Sequence, residues 1–111
     1  MKIKVTQYGY PSDPDGDTLT EEGWGAWDNK LTEDGCALTN QALIELSEDM
    51  LMLPFYWIKI DFKNGTAPLV RQYQDKAPES DARVDLYMPS GFDKFLPDAA
   101  EVTNLGKNLP T

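Results

Sequence analysis

The sequence predicts a mainly β protein, a small closed barrel of five or six short strands with one or two short helices. Three observations lead there. Apolar residues alternate with polar ones at Ile3 to Val5, Tyr56 to Phe62, Leu69 to Gln74 and Val84 to Tyr87, the pattern of strands with one buried face. Turn residues separate these runs at short intervals, and Asn64-Gly65 is the strongest short hairpin signal a chain can carry. Helical spacing is confined to brief segments and never alternates with strands in the βαβ manner, which favours a closed barrel over an open α/β sheet.

Element by element, Ile3 and Val5 alternate with Lys2, Lys4 and Thr6 as an opening strand. Residues 10–34 then form a long loop rich in Gly, Asp and Trp, a length at which structureless loops are uncommon and usually functional. Cys36 to Thr39 make a short strand, after which Asn40 is suited to cap a helix whose Ala42, Leu43, Leu46 and Met50 recur at helical spacing. Pro54 to Phe62 and Leu69 to Gln74 are the arms of the hairpin, with Asp75 closing the second arm. Lys76 to Asp81 is a surface loop, and Val84 to Tyr87 resume strand types. Ser90 to Asp93 before Lys94-Phe-Leu96 reads as a capped short helix, and Ala100 to Thr103 as the closing strand. Ile58, Ile60, Val70, Val84 and Leu86 are expected to be almost fully buried.

A length of 111 residues with 41% hydrophobic content bounds the chain to one domain, 1–111, which buries about two-thirds of its unfolded surface without staples. The single Cys36 forms no internal disulfide and reads as a small buried apolar residue. A net charge of −9, from 19 acids against 10 bases that do not cluster, argues against nucleic acid as a partner. With no histidine, His-based acid–base chemistry, Ser-His or Cys-His nucleophiles and His-ligated metals are excluded. Chemistry here runs on carboxylates, tyrosines or lysines, without a cofactor or metal. No run approaches the ~18 apolar residues of a membrane span. Met1-Lys-Ile-Lys-Val5 has the charged start of a signal peptide without its apolar stretch, and a leader removed upstream stays open.

The segment from Arg71 to Met88 is the richest in candidate chemistry. Asp75-Lys-Ala-Pro78, a short linker and then Arg83-Val-Asp85-Leu-Tyr87 resemble the signature of the double-psi β-barrel cell-wall proteins: rare lipoprotein A, the three-aspartate domain and the membrane-bound lytic transglycosylase A class. Thr6-Gln-Tyr-Gly9 resembles their opening strand, and Gly35-Cys-Ala-Leu-Thr-Asn40 the segment that supplies their first polar active-site residue. The resemblance covers residues 5 to 103 and implies a double-psi topology. It also implies a bacterial, periplasmic or extracellular setting and a glycan partner, peptidoglycan first. Its close matches are Asp75, Pro78, Arg83 and Asp85. Where the families place Asp or His, this chain has Thr39 and Asn40, so a third charged group is missing.

Each candidate has a functional and a plain structural meaning. Cleaving a glycosidic bond needs a carboxylic acid to protonate the leaving oxygen, and hydrolysis needs a second carboxylate; a lytic transglycosylase manages with one. The resemblance assigns the acid–base role to Asp85, with Asp75 beside it and Arg83 and Asn40 in the groove. The structural alternative has Asp75 capping the following loop and Arg83 or Arg71 pairing with Asp85. Trp24-Gly-Ala-Trp27, with Tyr8 and Tyr10, offers flat faces for stacking on sugar rings, or else covers a barrel end. Asp13, Asp15 and Asp17 open like a calcium loop, but Gly16 and Trp24 fall where that loop needs other residues, so a solvated turn is the simpler reading. Glu22 stands near a functional Glu of the resembled families.

The expectation is thus a monomeric polysaccharide-binding domain acting on peptidoglycan glycan strands, with lytic transglycosylase-like cleavage through Asp85 and Asp75 left open. Two alternatives stand beside it: a non-catalytic, expansin-like carbohydrate-binding module, and an interaction protein that uses only its acidic surface.

Overall fold

The computed structural model of the protein describes residues 2–11, 24–27, 29–46 and 54–108. The acids at 13, 15 and 17, Glu22 and Met50 lie outside the described residues. Six strands are present among the described residues: β1 (Lys2–Tyr8), β2 (Gly35–Thr39), β3 (Trp57–Asp61), β4 (Leu69–Ala77), β5 (Arg83–Tyr87) and β6 (Ala99–Gly106). One helix, α1 (Asn40–Leu46), follows β2 directly.

The strands close into a barrel in the order β1-β5-β2-β4-β3-β6. β1 runs parallel to β5 and β2 parallel to β4, while the other four neighbours are antiparallel. Consecutive strands β4 and β5 are therefore antiparallel to each other with β2 threaded between them, and β5 and β6 straddle β1 in the same way. The chain thus forms the expected closed six-stranded barrel, with two parallel neighbour pairs among its six. Closure leaves no open sheet edge among these strands.

The period-two pattern puts one face of each strand inside. Ile3, Val5, Cys36, Leu38, Ile58, Ile60, Tyr73, Val84, Leu86, Ala100 and Val102 fill the barrel, and Ala42 and Leu43 of α1 pack onto the same cluster. Val70 departs from expectation and is only half-buried. It pairs with exposed Lys59, and paired residues share a face, so Leu69, Arg71 and Tyr73 point inward instead.

Three further expectations are corrected. β4 does not close at Asp75 but continues to Ala77, because β2 lies alongside and keeps pairing through Leu38 with Lys76 and Thr39 with Ala77. The helix cap is Thr39 rather than Asn40: the Thr39 hydroxyl accepts the Ala42 N–H at 3.3 Å and also the Arg83 N–H at 3.0 Å. Between Ser90 and Leu96 there is no helix, only a turn. The Asp93 carboxylate takes the Phe95 N–H at 3.0 Å, and the Asp93 carbonyl takes the Leu96 N–H at 3.3 Å. The Gln7 amide grips the Asp93 main chain with two bonds of 2.8 Å, which ties this segment to β1 in place of helical bonding.

Candidate functional site

The two aspartates flank a single alanine. Ala37 of β2 is the Cα partner of Asp75 on β4 and of Asp85 on β5, and Thr6 of β1 is the next partner beyond Asp85. Residues in register across neighbouring strands project to one face, so Thr6, Asp85, Ala37 and Asp75 form one rung. The alternating residues Val5, Cys36, Val84 and Leu86 face the core, which turns this rung outward. Two strand spacings set the Asp75 and Asp85 Cα atoms roughly 10 Å apart.

Tyr8 of β1 reaches past β5 and β2 to β4. The Tyr8 hydroxyl donates to the Asp75 carboxylate at 3.2 Å, while the other Asp75 oxygen accepts the Lys76 N–H at 2.9 Å. Burial, followed by the charges of Asp75, Cys36 and Asp85, pushes the Tyr8 phenol far above its ordinary range, so it stays a proton donor. Tyr87 packs against Tyr8 with centroids 5.5 Å apart.

Two loops raise walls over the rung and enclose a cleft of about 690 Å³. One wall is Trp24-Gly25-Ala26 and the other is Phe92 with Leu96, Pro97 and Asp98. Tyr10 also lines the cleft and meets Phe92 edge-on at 5.1 Å. Trp24 and Phe92 expose 39% and 56% of their surface, so apolar faces stand open at the rim of a carboxylate-bearing floor.

The first wall is held by a residue that the sequence pattern did not single out. Gln74 is the extra residue of a β-bulge in β4, since Tyr73 pairs with Cys36 and Asp75 with Ala37. It is 97% buried, and its amide is fully used: it donates to the Thr32 hydroxyl at 2.9 Å and to Gln72 at 2.8 Å, and it accepts the Thr32 N–H at 2.9 Å. Its carbonyl accepts from the Asn29 amide at 3.1 Å. Asn29 in turn closes the Trp24 turn by accepting the Gly25 N–H at 2.8 Å. A side chain at Gly25 or Gly35 would collide with Gln74, which explains both glycines. The signal available in sequence was a polar residue inside a strand pattern. The bulge also lets Asp75 reach the rung beside Ala37.

Of the residues named from sequence, Asp75, Asp85, Arg83, Tyr8, Tyr10 and Trp24 line the cleft. Trp27 and Asn40 do not. Trp27 covers the barrel end, edge-on to Tyr73 at 5.0 Å and near Phe55 at 6.5 Å, and Asn40 is exposed at the start of α1. Arg83 bonds Asp81 through Nε at 3.0 Å and Nη2 at 2.9 Å, with Glu79 at 3.6 Å, and this contact holds the Asp81 carboxyl below its usual range. Phe92 was not anticipated; an aromatic beside Gly91 in a loop is its only local signal. Among the described residues no group of three or more Cys, Asp or Glu is placed to hold a metal ion. No helix among them is long and apolar enough to cross a membrane. Compared with family models, with curated proteins and with solved structures, the chain matches none.

Proposed function

We propose that the cleft binds a glycan chain, peptidoglycan strands by the resemblance of Asp75, Arg83 and Asp85, and that Asp85 acts on it as general acid and base. The observation that carries this reading is the rung: two carboxylates on either side of Ala37, under an aromatic rim. Sugar rings stack their C–H faces on Tyr10, Phe92 and Trp24, and the carboxylates meet the hydroxyls and the linking oxygen.

The spacing bears on the chemistry. An intervening strand separates the two backbones by about 10 Å, and the transglycosylase scheme needs only one working acid. In that scheme Asp85 donates its proton to the scissile oxygen and then takes one from the attacking sugar hydroxyl. Asp75, bound by Tyr8 and by the Lys76 N–H, stays an acceptor that orients substrate hydroxyls. A second reading, a non-catalytic binding module, draws support from Asn40, which lies outside the cleft and brings no third polar group to it.

Asp85→Asn separates the two, because it keeps shape and removes the titrating proton. If Asp85 is the acid, turnover of isolated glycan strands falls by roughly a hundredfold or more while binding persists. A binding module shows no turnover to lose, and Trp24→Ala then weakens glycan retention more than Asp85→Asn does. No binding of peptidoglycan or cellulose by the native protein would sink both readings and leave the acidic-surface interaction protein.

A further inference from the structure

The cleft is electrostatically one-sided. Four carboxylates line it, Asp75, Asp85, Glu79 and Asp98, against the cations Lys76 and Arg83. Arg83 is engaged already by Asp81 at 2.9 and 3.0 Å and by Glu79 at 3.6 Å. Lys76 and Asp98 are both exposed, where water and salt screen their charges, which leaves half-buried Asp75 and Asp85 to set the sign of the floor. The chain's net charge of −9 has the same sign as the floor, and low-dielectric walls concentrate that field within the cleft. The aromatic faces at the rim add to it, since ring faces attract cations and not anions.

We infer that the cleft selects glycans bearing free amino groups, that is cationic amino sugars, over their neutral N-acetylated forms and over uronic-acid chains. This inference rests on the glycan reading above. A sugar ammonium entering the cleft meets the carboxylates that line it and can donate charge-assisted hydrogen bonds to them, while its ring stacks on the rim. An N-acetyl group at that place carries no charge and needs more room. A uronate there faces two carboxylates, with the Arg83 guanidinium held by Asp81.

Calorimetric titration of the full chain with three matched β-1,4-linked tetrasaccharides tests it: glucosamine, N-acetylglucosamine and glucuronic acid. At low salt the amino tetramer is expected to bind about tenfold more tightly than the acetylated one, with the acid tetramer weakest. Raising salt to about 0.5 M should erase most of that gap, and Asp75→Asn should narrow it at low salt. Equal affinity for the amino and acetylated tetramers, or a gap that ignores salt, overturns the inference and leaves the glycan reading standing. Failure of all three tetramers to bind removes both.

Discussion

Tyr73 is fully buried inside the barrel, and its hydroxyl has no hydrogen-bond partner among the described residues. A buried hydroxyl left unbonded costs about 1–3 kcal/mol. Tyr73→Phe is therefore expected to leave stability unchanged or raise it by up to ~2 kcal/mol, read as a shift in the urea midpoint at constant slope. A loss of more than ~1 kcal/mol would show that the hydroxyl is satisfied. Tyr73, Tyr8 and Cys36 also share a direction: burial first pushes all three upward, with nearby negative charge adding to it and, at Cys36, the Arg71 guanidinium opposing it. Their unfolded values are about 10 for tyrosine and 8.5 for cysteine, so the folded chain keeps protons there that the unfolded chain gives up. That contribution to stability is whole below pH ~8.5 and is lost as pH rises through and beyond ~10. In an ultraviolet titration, Tyr8 and Tyr73 should ionise only as the protein unfolds. If all five tyrosines titrate near pH 10 with the fold intact, their burial is wrong.

Two neighbours at the β2–α1 junction differ sharply in what they hold together. Thr39 ends one element and starts the next: its hydroxyl takes the first orphan donor of the helix at Ala42 and the N–H of Arg83 at the start of β5. Asn40 is exposed. Thr39→Val keeps the shape and removes both acceptor bonds, and a loss of about 1–3 kcal/mol is expected by denaturant unfolding. Asn40→Ala should change stability by less than ~0.5 kcal/mol. Equal costs would return the cap to Asn40. β4 makes a related point, because its bulge at Gln74 both anchors the Trp24 wall and sets Asp75 on the rung. One inserted residue shapes the cleft from two sides.

Across the whole molecule the barrel depends on contacts between distant parts of the chain. Lys4 aligns with Arg83 and Gly35 with Gln72, so the parallel pairs close loops that span much of the sequence. Such pairing is slow to form and cooperative once formed. Ile60 and Leu86, from opposite sides of the barrel, are both essentially inaccessible. Truncating either to Ala should cost roughly 2–5 kcal/mol, measured by chemical denaturation. A cost well below that at either site would mean the barrel collapses around the missing atoms there.

Local pattern was enough to read several features from the sequence alone. Alternation at Val84, Asp85 and Leu86 already turned Asp85 away from the core, and the Asn64-Gly65 turn already paired β3 with β4. The mainly β class and the aromatic character of the 24–27 loop were legible in the same way, because each depends on residues close together in the chain. Tertiary structure decided the rest. Val70 faces out because it pairs with Lys59, β4 runs past Asp75 because β2 lies beside it, and Asp93 forms a turn because Gln7 holds its main chain. The juxtaposition of Asp75 with Asp85 likewise needs β2 threaded between their strands. A sequence pattern records which side chains gain from burial, whereas strand neighbours, bulges and caps are set by partners tens of residues away.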